Sequence, residues 1–486
     1  MGTDEQRGVV FPATPDGRRS TGALGRAVVA DALRGTDPTG ALAAEQETSW
    51  RSGYLVHFRR LVEAGLASRP AALDIAAAGL ASLHDRMRVA APPGTDAGLE
   101  TLRTAPAGRP LQTVEVPGRE PPEKELAVPY RGDLLRGDAL ARRLDAWVAA
   151  GVAEPSAAEA VRAVQANPDW LRLPDRTVAV LGAGAEIGPL PSLLRWGARV
   201  AAVDLPRPAI WERVLGLRDA GALVLPVGGP ETDPLPRRTG ADLVTEVPAV
   251  TDWLAALPGE LVLGNYVYAD GATNVRVSVA VDALTVRLQA ARDDVALAFL
   301  ATPTDVFAVP GEAVEHSVRA YAERSVAAKL LGRPLRTLSA GRLLRRGYVP
   351  GADPGINDSL VPQQGPNYTL AKRLQRWRAA VARDAGATVS LNVAPPTRTR
   401  SVLKNRALAA AYAGAHRFGV EAFEPATTNV LMAALLVHDL HNPVAHGHPW
   451  QDEAYAAVHG GLWRSGYAPR SALGLAALLG YGAART

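Results

Sequence analysis

The chain contains no cysteine, which excludes disulfides, thiolate metal sites and cysteine nucleophiles together. It has no apolar run of bilayer-spanning length, and its first residues, MGTDEQRGVV, lack the apolar core of a secretion signal. Both absences lead us to expect a cytoplasmic protein with no membrane partner. Charge of one sign is not concentrated either. The 53 basic and 49 acidic residues leave a net charge of +4, which gives little reason to expect nucleic acid as a partner. What is present suits a soluble enzyme, with 47% hydrophobic and 21% charged residues. A length of 486 residues suffices for two or three domains.

The most informative stretch runs from Thr177 to Asp204. An apolar run, Val178 to Leu181, ends at a glycine-rich turn, Gly182-Ala183-Gly184-Ala185-Glu186-Ile187-Gly188. A helical pattern follows (Leu190, Leu193, Leu194, Trp196), then a second apolar run, Val200 to Val203, closed by Asp204. This is the pattern of a βαβ unit whose turn lets a ligand approach bare backbone at the positive end of a helix. An acidic residue about 20 positions beyond the glycines is where such folds bind an adenosine ribose.

Residues 1 to about 20 are polar and rich in Gly, Pro and Arg, and read as a loose arm. Thr21 to Val89 is helical by its apolar spacing, Pro92 to Lys124 is a long connection around one short strand at Leu111 to Val116, and a helical pair follows at Asp138 to Val152 and Ser156 to Gln165. Asp138 is placed to cap the first of these. Residues 1–170 thus form a mostly helical N-terminal region without a catalytic pattern. Beyond the βαβ unit, strands at 222–227, 260–263, 295–300 and 388–393 alternate with helices at Pro208 to Asp219, after Glu246, at Asn274 to Ala291 and at Glu312 to Leu331. The expected fold is α/β, a Rossmann-like doubly wound parallel sheet over 171–445, with an irregular insertion at 333–366 and a helical or lid segment at 446–486.

Tyr368-Thr-Leu-Ala-Lys372 opens a helix that leads into the strand 388–393 and the loop Pro395-Pro-Thr397-Arg-Thr-Arg-Ser401. Residues four apart share a helix face, so the Lys372 ammonium is expected near the Tyr368 phenol, where it lowers the phenol pKa from about 10 toward working pH. A phenol tuned in this way gives or takes a proton at a carbonyl or alcohol oxygen.

With these motifs in this order, the chain resembles the short-chain dehydrogenase/reductase superfamily over about Thr177 to Leu440, as a divergent member with an N-terminal helical extension. The turn 182–188 is similar to the family's cofactor loop, and Asp204 falls where members preferring NAD carry an acidic residue. Tyr368 and Lys372 look like the catalytic pair, Asn265 resembles the Asn after the fourth strand, and Pro395 and Thr397 fall where the family contacts the nicotinamide side. The resemblance implies an NAD(P)-dependent oxidoreductase acting on a carbonyl or alcohol of a small-molecule substrate, and a possible homo-oligomer. Tyr368 would be the general acid/base, Lys372 would hold the nicotinamide ribose, and a hydroxyl from Thr302, Thr304 or Ser359 would hold the substrate oxygen. The end of the preceding strand favours Thr302 or Thr304; distance along the chain favours Ser359. NAD is favoured by Asp204, and Arg207 keeps NADP open. Two departures stand out. Glu186 occupies the place of the loop's middle glycine, where a carboxylate repels a pyrophosphate, and the helical Asn has only Asn274 as candidate, early in its helix.

Two rivals share the opening motif. An S-adenosylmethionine-dependent methyltransferase uses the same turn and Asp204, without a pyrophosphate for Glu186 to repel. A non-redox enzyme of the same fold, an isomerase or dehydratase, would hold NAD as a bound cofactor. Four of the nine histidines fall at 438, 441, 446 and 448, but Pro443 separates the pairs, and a histidine-bearing loop near the substrate is the expectation rather than a metal site. Arg398, Arg400 and Lys404 form a basic cluster beside the proposed site, suited to an anionic substrate or a cofactor phosphate.

Overall fold

The structure is a computed structural model that describes residues 7–14, 16–90, 95–217 and 220–482. Seven strands form the central sheet: β1 Gln112–Val116, β2 Arg176–Leu181, β3 Arg199–Val203, β4 Leu223–Val227, β5 Glu260–Asn265, β6 Val295–Ala301 and β7 Val389–Val393. Their spatial order is 7-6-5-2-3-4-1. Six run parallel, and β1 closes one edge antiparallel to β4. The chain winds outward from β2 to β4, returns, and winds the other way from β5 to β7. The switch therefore falls between β2 and β5, whose carboxyl ends align with Leu181 opposite Asn265. Open sheets of this kind bind ligands at that point. The fold is α/β with a Rossmann-like doubly wound sheet, as expected.

Apolar side chains leave the strands on both faces, which is why the strands read as continuous apolar runs. Ala179, Leu181, Ala201 and Val203 enter one core, while Val178, Val180, Val200 and Ala202 enter the other. Six helices matter for the site: α1 Ala272–Ala291, α2 Val326–Leu338, α3 Gly365–Asp384, α4 Arg406–Gly414, α5 Pro425–His441 and α6 Pro469–Gly480. The helices of the N-terminal region are present, but they share the cores of the sheet. Val28, Phe58 and Leu80 join Leu297 and Leu374 in the first core. Leu144 and Val161 join Val178 and Leu431 in the second. The helix Arg69–Arg86 lies against α3, where a Cβ on Gly79 would sit 2.3 Å from the Trp377 ring.

Several local expectations are corrected. Within the supposed loose arm, residues 1–6 and 15 lie outside the described residues, but Gly8–Val10 is a strand paired with Arg88–Ala90. Val9 and Val10 are fully buried, and the buried Arg276 guanidinium donates to the carbonyls of Arg7 and Val9, each at 2.7 Å. Asp138 is not a cap, because the helix Gly137–Ala149 starts one residue earlier, with Arg136 at the N-cap position. The helix from Pro208 is described as far as Gly216; its expected end at 218–219 lies outside the described residues. Glu312 to Leu331 is two helices, Gly311–Ala322 and α2, parted where the Ser325 hydroxyl caps the second. The insertion 333–366 is not irregular throughout: it begins inside α2 and contains the strand Gly355–Asp358, antiparallel to Val306–Val309.

Candidate active site

A cleft of about 800 Å³ opens at the carboxyl ends of β2, β5, β6 and β7. Its walls come from Ala185–Ile187 after β2, Tyr266–Gly271 after β5, Thr302–Thr304 after β6, Pro395–Thr397 after β7, and the start of α3. Thr21, Gly22, Trp50 and Arg51 complete one side. The N-terminal region, which carries no catalytic pattern of its own, thus contributes to the cleft.

Pro366 in the first turn starts α3 at little cost, because its missing N–H would have no partner there. Tyr368, Lys372 and Gln375 then follow at i, i+4 and i+7, on one face. The opposite face is anchored by charge. Buried Asp305 accepts from Arg373 at 3.0 Å and Arg376 at 2.8 Å, and Arg376 also holds Glu453 with two bonds of 2.6 Å. Pairs so enclosed fix geometry more than they add stability.

Tyr368 is half-buried and shares a hydrogen bond with the Thr302 hydroxyl. Thr302 and Thr304 hydroxyls lie 2.9 Å apart, and Gln364 donates to Thr304 at 2.7 Å. Ser359 is not part of this chain of hydroxyls. It is buried against the Asn357 side chain and lines a neighbouring cavity, because the strand Gly355–Asp358 carries it away from the phenol. Asn274 lies in the cleft wall, and its side-chain oxygen accepts from the Ala269 N–H at 3.0 Å.

The lysine departs from expectation. Lys372 Nζ donates to the Leu300 carbonyl and to Gln375 Oε1, both at 3.1 Å, and Gln375 Nε2 donates in turn to Asn265 Oδ1 at 3.1 Å. Burial lowers Lys372 to about 8. The Tyr368 phenol is not lowered: burial pushes it up to about 12 against the opposing hydrogen bond with Thr302. Gln375 was missed in the sequence, although its i+7 spacing from Tyr368 is visible there.

The glycine turn has its own geometry. Gly182 has φ +84°, and a Cβ there would lie 2.8 Å from the Tyr266 carbonyl oxygen, so only glycine fits. Asp204 accepts from the Gly184 N–H at 2.8 Å and the Leu205 N–H at 2.7 Å. A carboxylate has about four acceptor sites, so two remain for a ribose. Arg213 donates to the Gly184 carbonyl at 3.1 Å, Ala183 is buried, and Gly188 accepts from the Asn429 amide. Arg207 is exposed just before the helix Pro208–Gly216. The helix after the turn differs from expectation. It starts at Leu190, beyond the last glycine, and runs only to Arg195, since Pro189 and the packing of Asn429 hold the turn open until then. Glu186 is matched by a cation: Arg400 Nε donates to it at 2.6 Å and the Arg400 N–H at 2.8 Å. Its charge is thus balanced across the cleft. These residues fit a dinucleotide: Lys372 and Asn265 at the nicotinamide ribose, half-exposed turn backbone between, and Asp204 at the far end.

Thr397 lines the cleft with its hydroxyl bonded to the Pro395 carbonyl and Thr428, both at 2.8 Å. Arg398 faces Glu424 at 3.6 Å. The histidines scatter rather than gather near the substrate: His438 meets Asp439, His446 meets Asp452, and His441 stacks on Trp170. No metal-ligand cluster occurs among the described residues.

A second, almost wholly apolar cavity of about 80 Å³ adjoins the cleft. The two share Thr304, Val361, Pro396, Leu408 and Tyr412 as a common wall. Ala411, Leu473 and Ala476 of α4 and α6 form its far side. These helices touch backbone to backbone: a Cβ on Gly414 would lie 2.0 Å from the Ala476 carbonyl oxygen, and one on Gly480 2.0 Å from that of Ala410.

No protein-family model and no curated protein matches the chain. Among solved structures it is similar to an A-type ketoreductase from a modular polyketide synthase (17% identity, 55% of this chain and 47% of that one, TM-score 0.30). It is also similar to an A1-type ketoreductase (14%, 63% and 54%, TM-score 0.32). A third is a thiolation-reductase di-domain from an archaeal non-ribosomal peptide synthetase (12%, 49% and 47%, TM-score 0.28). The chain spans about half the length of these structures.

Proposed function

We propose that the chain is an oxidoreductase of the short-chain type, which uses a nicotinamide cofactor to interconvert a carbonyl and an alcohol on a small-molecule substrate. The observation that carries the reading is the hydrogen bond between Tyr368 and Thr302, one helical turn from the Lys372 ammonium, at the sheet's switch point. The cofactor, when bound, supplies or accepts the hydride. Tyr368, raised to about 12, is protonated at neutral pH and donates to the oxygen of a carbonyl as it is reduced. Thr302 holds the same oxygen, oriented by Thr304 and Gln364. Lys372, fixed by Leu300 and Gln375, faces the nicotinamide ribose. The adjoining apolar cavity seats a small alkyl group beside the reacting carbon. Asp204 favours NAD, and the exposed Arg207 leaves NADP as the alternative.

The test is thermal unfolding of the chain with NADH, NADPH and S-adenosylmethionine side by side. A ligand at 100 times its dissociation constant adds about 2.7 kcal/mol. Stabilisation by a reduced nicotinamide dinucleotide is expected. A shift with S-adenosylmethionine alone sinks the proposal. Given dinucleotide binding, Tyr368→Phe is expected to keep affinity and lose turnover of short aliphatic ketones, and undiminished turnover removes Tyr368 from the role of acid.

A further inference from the structure

The even spread of charge has one exception. From Arg324 to Ala352 the sequence holds seven basic residues and no acidic one. Most of α2 lies in this stretch. At 100° per residue, Val326, Leu330, Leu335 and Leu338 fall on one side of α2 and Lys329, Arg333 and Arg336 on the other. Arg336 reaches back to the Tyr321 hydroxyl, which turns the leucine side outward. Val326 is 72% exposed, Leu330 63% and Leu338 86%. Lys329, Arg333, Arg342, Arg345 and Arg346 are exposed as well, and none forms an ion pair among the described residues.

Such a face needs an occupant that is both apolar and negative. A second copy of the chain meeting it about a two-fold axis would set these cations against their own images. An anionic bilayer supplies an apolar boundary beneath negatively charged headgroups. We propose that α2 docks the protein on an anionic lipid surface, with Val326, Leu330 and Leu338 at the headgroup–acyl boundary and Lys329, Arg333 and Arg342 against the headgroups. This is a contact along the membrane plane, so the expectation of no membrane partner, drawn from the lack of a span, does not bear on it. No helix among the described residues is long and apolar enough to cross a membrane. The proposal stands independently of the redox reading.

Sedimentation of the full chain with phosphatidylcholine vesicles, with and without phosphatidylserine, tests it. Binding is expected to rise about tenfold or more with the anionic lipid and to fall as salt is added. The Leu330→Ser/Leu338→Ser and Arg333→Glu/Arg342→Glu variants are each expected to lose it while keeping the far-ultraviolet dichroism and melting temperature of the parent. Equal binding to both vesicle types overturns the proposal, as does a double-serine variant that binds like the parent. So does a dimer in gel filtration that the serine substitutions split, which would give the face to a second copy.

Discussion

Lys372 is where one residue's environment sets measurable behaviour. Its pKa falls from the usual 10.5 to about 8 on folding, so between those values the unfolded chain holds the proton more often than the folded one. Stability therefore rises with pH across that window, and folding carries the burden of a buried ammonium below it. Lys372→Met is expected to raise stability at neutral pH by about 1–3 kcal/mol, read from denaturant midpoints, while turnover collapses. A variant no more stable than the parent at neutral pH removes the burial argument. Thr302→Val leaves the phenol without its partner hydroxyl, and the expected loss in kcat is on the order of 100-fold with little change in KM. Ser359→Ala, in the neighbouring cavity, is expected to leave kcat within about threefold of the parent.

Pairs of elements are held by buried charge and close backbone contact. Glu154, just before the helix Pro155–Ala166, binds Arg464 with bonds of 2.8 and 2.6 Å and His459 at 2.9 Å. Arg464 and His459 hold its carboxyl at about 2 despite burial, against 4.5 in the unfolded chain. The stabilisation is complete above pH 4.5 and disappears as pH falls toward 2, a change of about 3 kcal/mol. Glu154→Gln is expected to flatten that part of the acid-unfolding curve and to cost about 3–5 kcal/mol at neutral pH. At the α4–α6 crossing, Gly414→Ala pushes a methyl group into the Ala476 carbonyl. Calorimetry is expected to show a loss of about 1–3 kcal/mol. An unchanged melting temperature would mean the helices separate freely.

At this scale the sequence was readable where the information is local. The strands β2, β3, β5 and β6 and the helix bearing Tyr368 lie within a residue or a few of where apolar runs and the Tyr–Lys spacing put them. The strand Gly355–Asp358 was not readable, because its partner lies far upstream and Gly-Ile-Asn-Asp looks like a turn. The state of Tyr368 was not readable either. Spacing puts a lysine near a phenol, but Leu300 and Gln375, which take up that lysine, are set by the tertiary fold. Glu186 looked like an obstacle for the same reason, since its cation, Arg400, stands 214 residues away.

For the whole molecule, the N-terminal residues are built into the machine rather than appended to it. Trp50 and Arg51 reach the cleft, Gly79 receives Trp377 from the helix bearing Tyr368, and Val9 donates to the Val244 carbonyl at 2.9 Å. Gly79→Ala is expected to impair both folding and the site, with lower stability and a raised KM, because the ring it displaces sits on α3.

The edge strand β1 also has a consequence in time. Gln112–Val116 has nothing to pair with until Leu223–Val227 has been made, about a hundred residues later. At about 5–20 residues per second, a ribosome leaves that edge open for roughly 5–20 s. Through that interval the emerging chain carries an unpaired apolar strand and a half-built sheet, the period in which a chaperone or a neighbouring nascent chain has access to it.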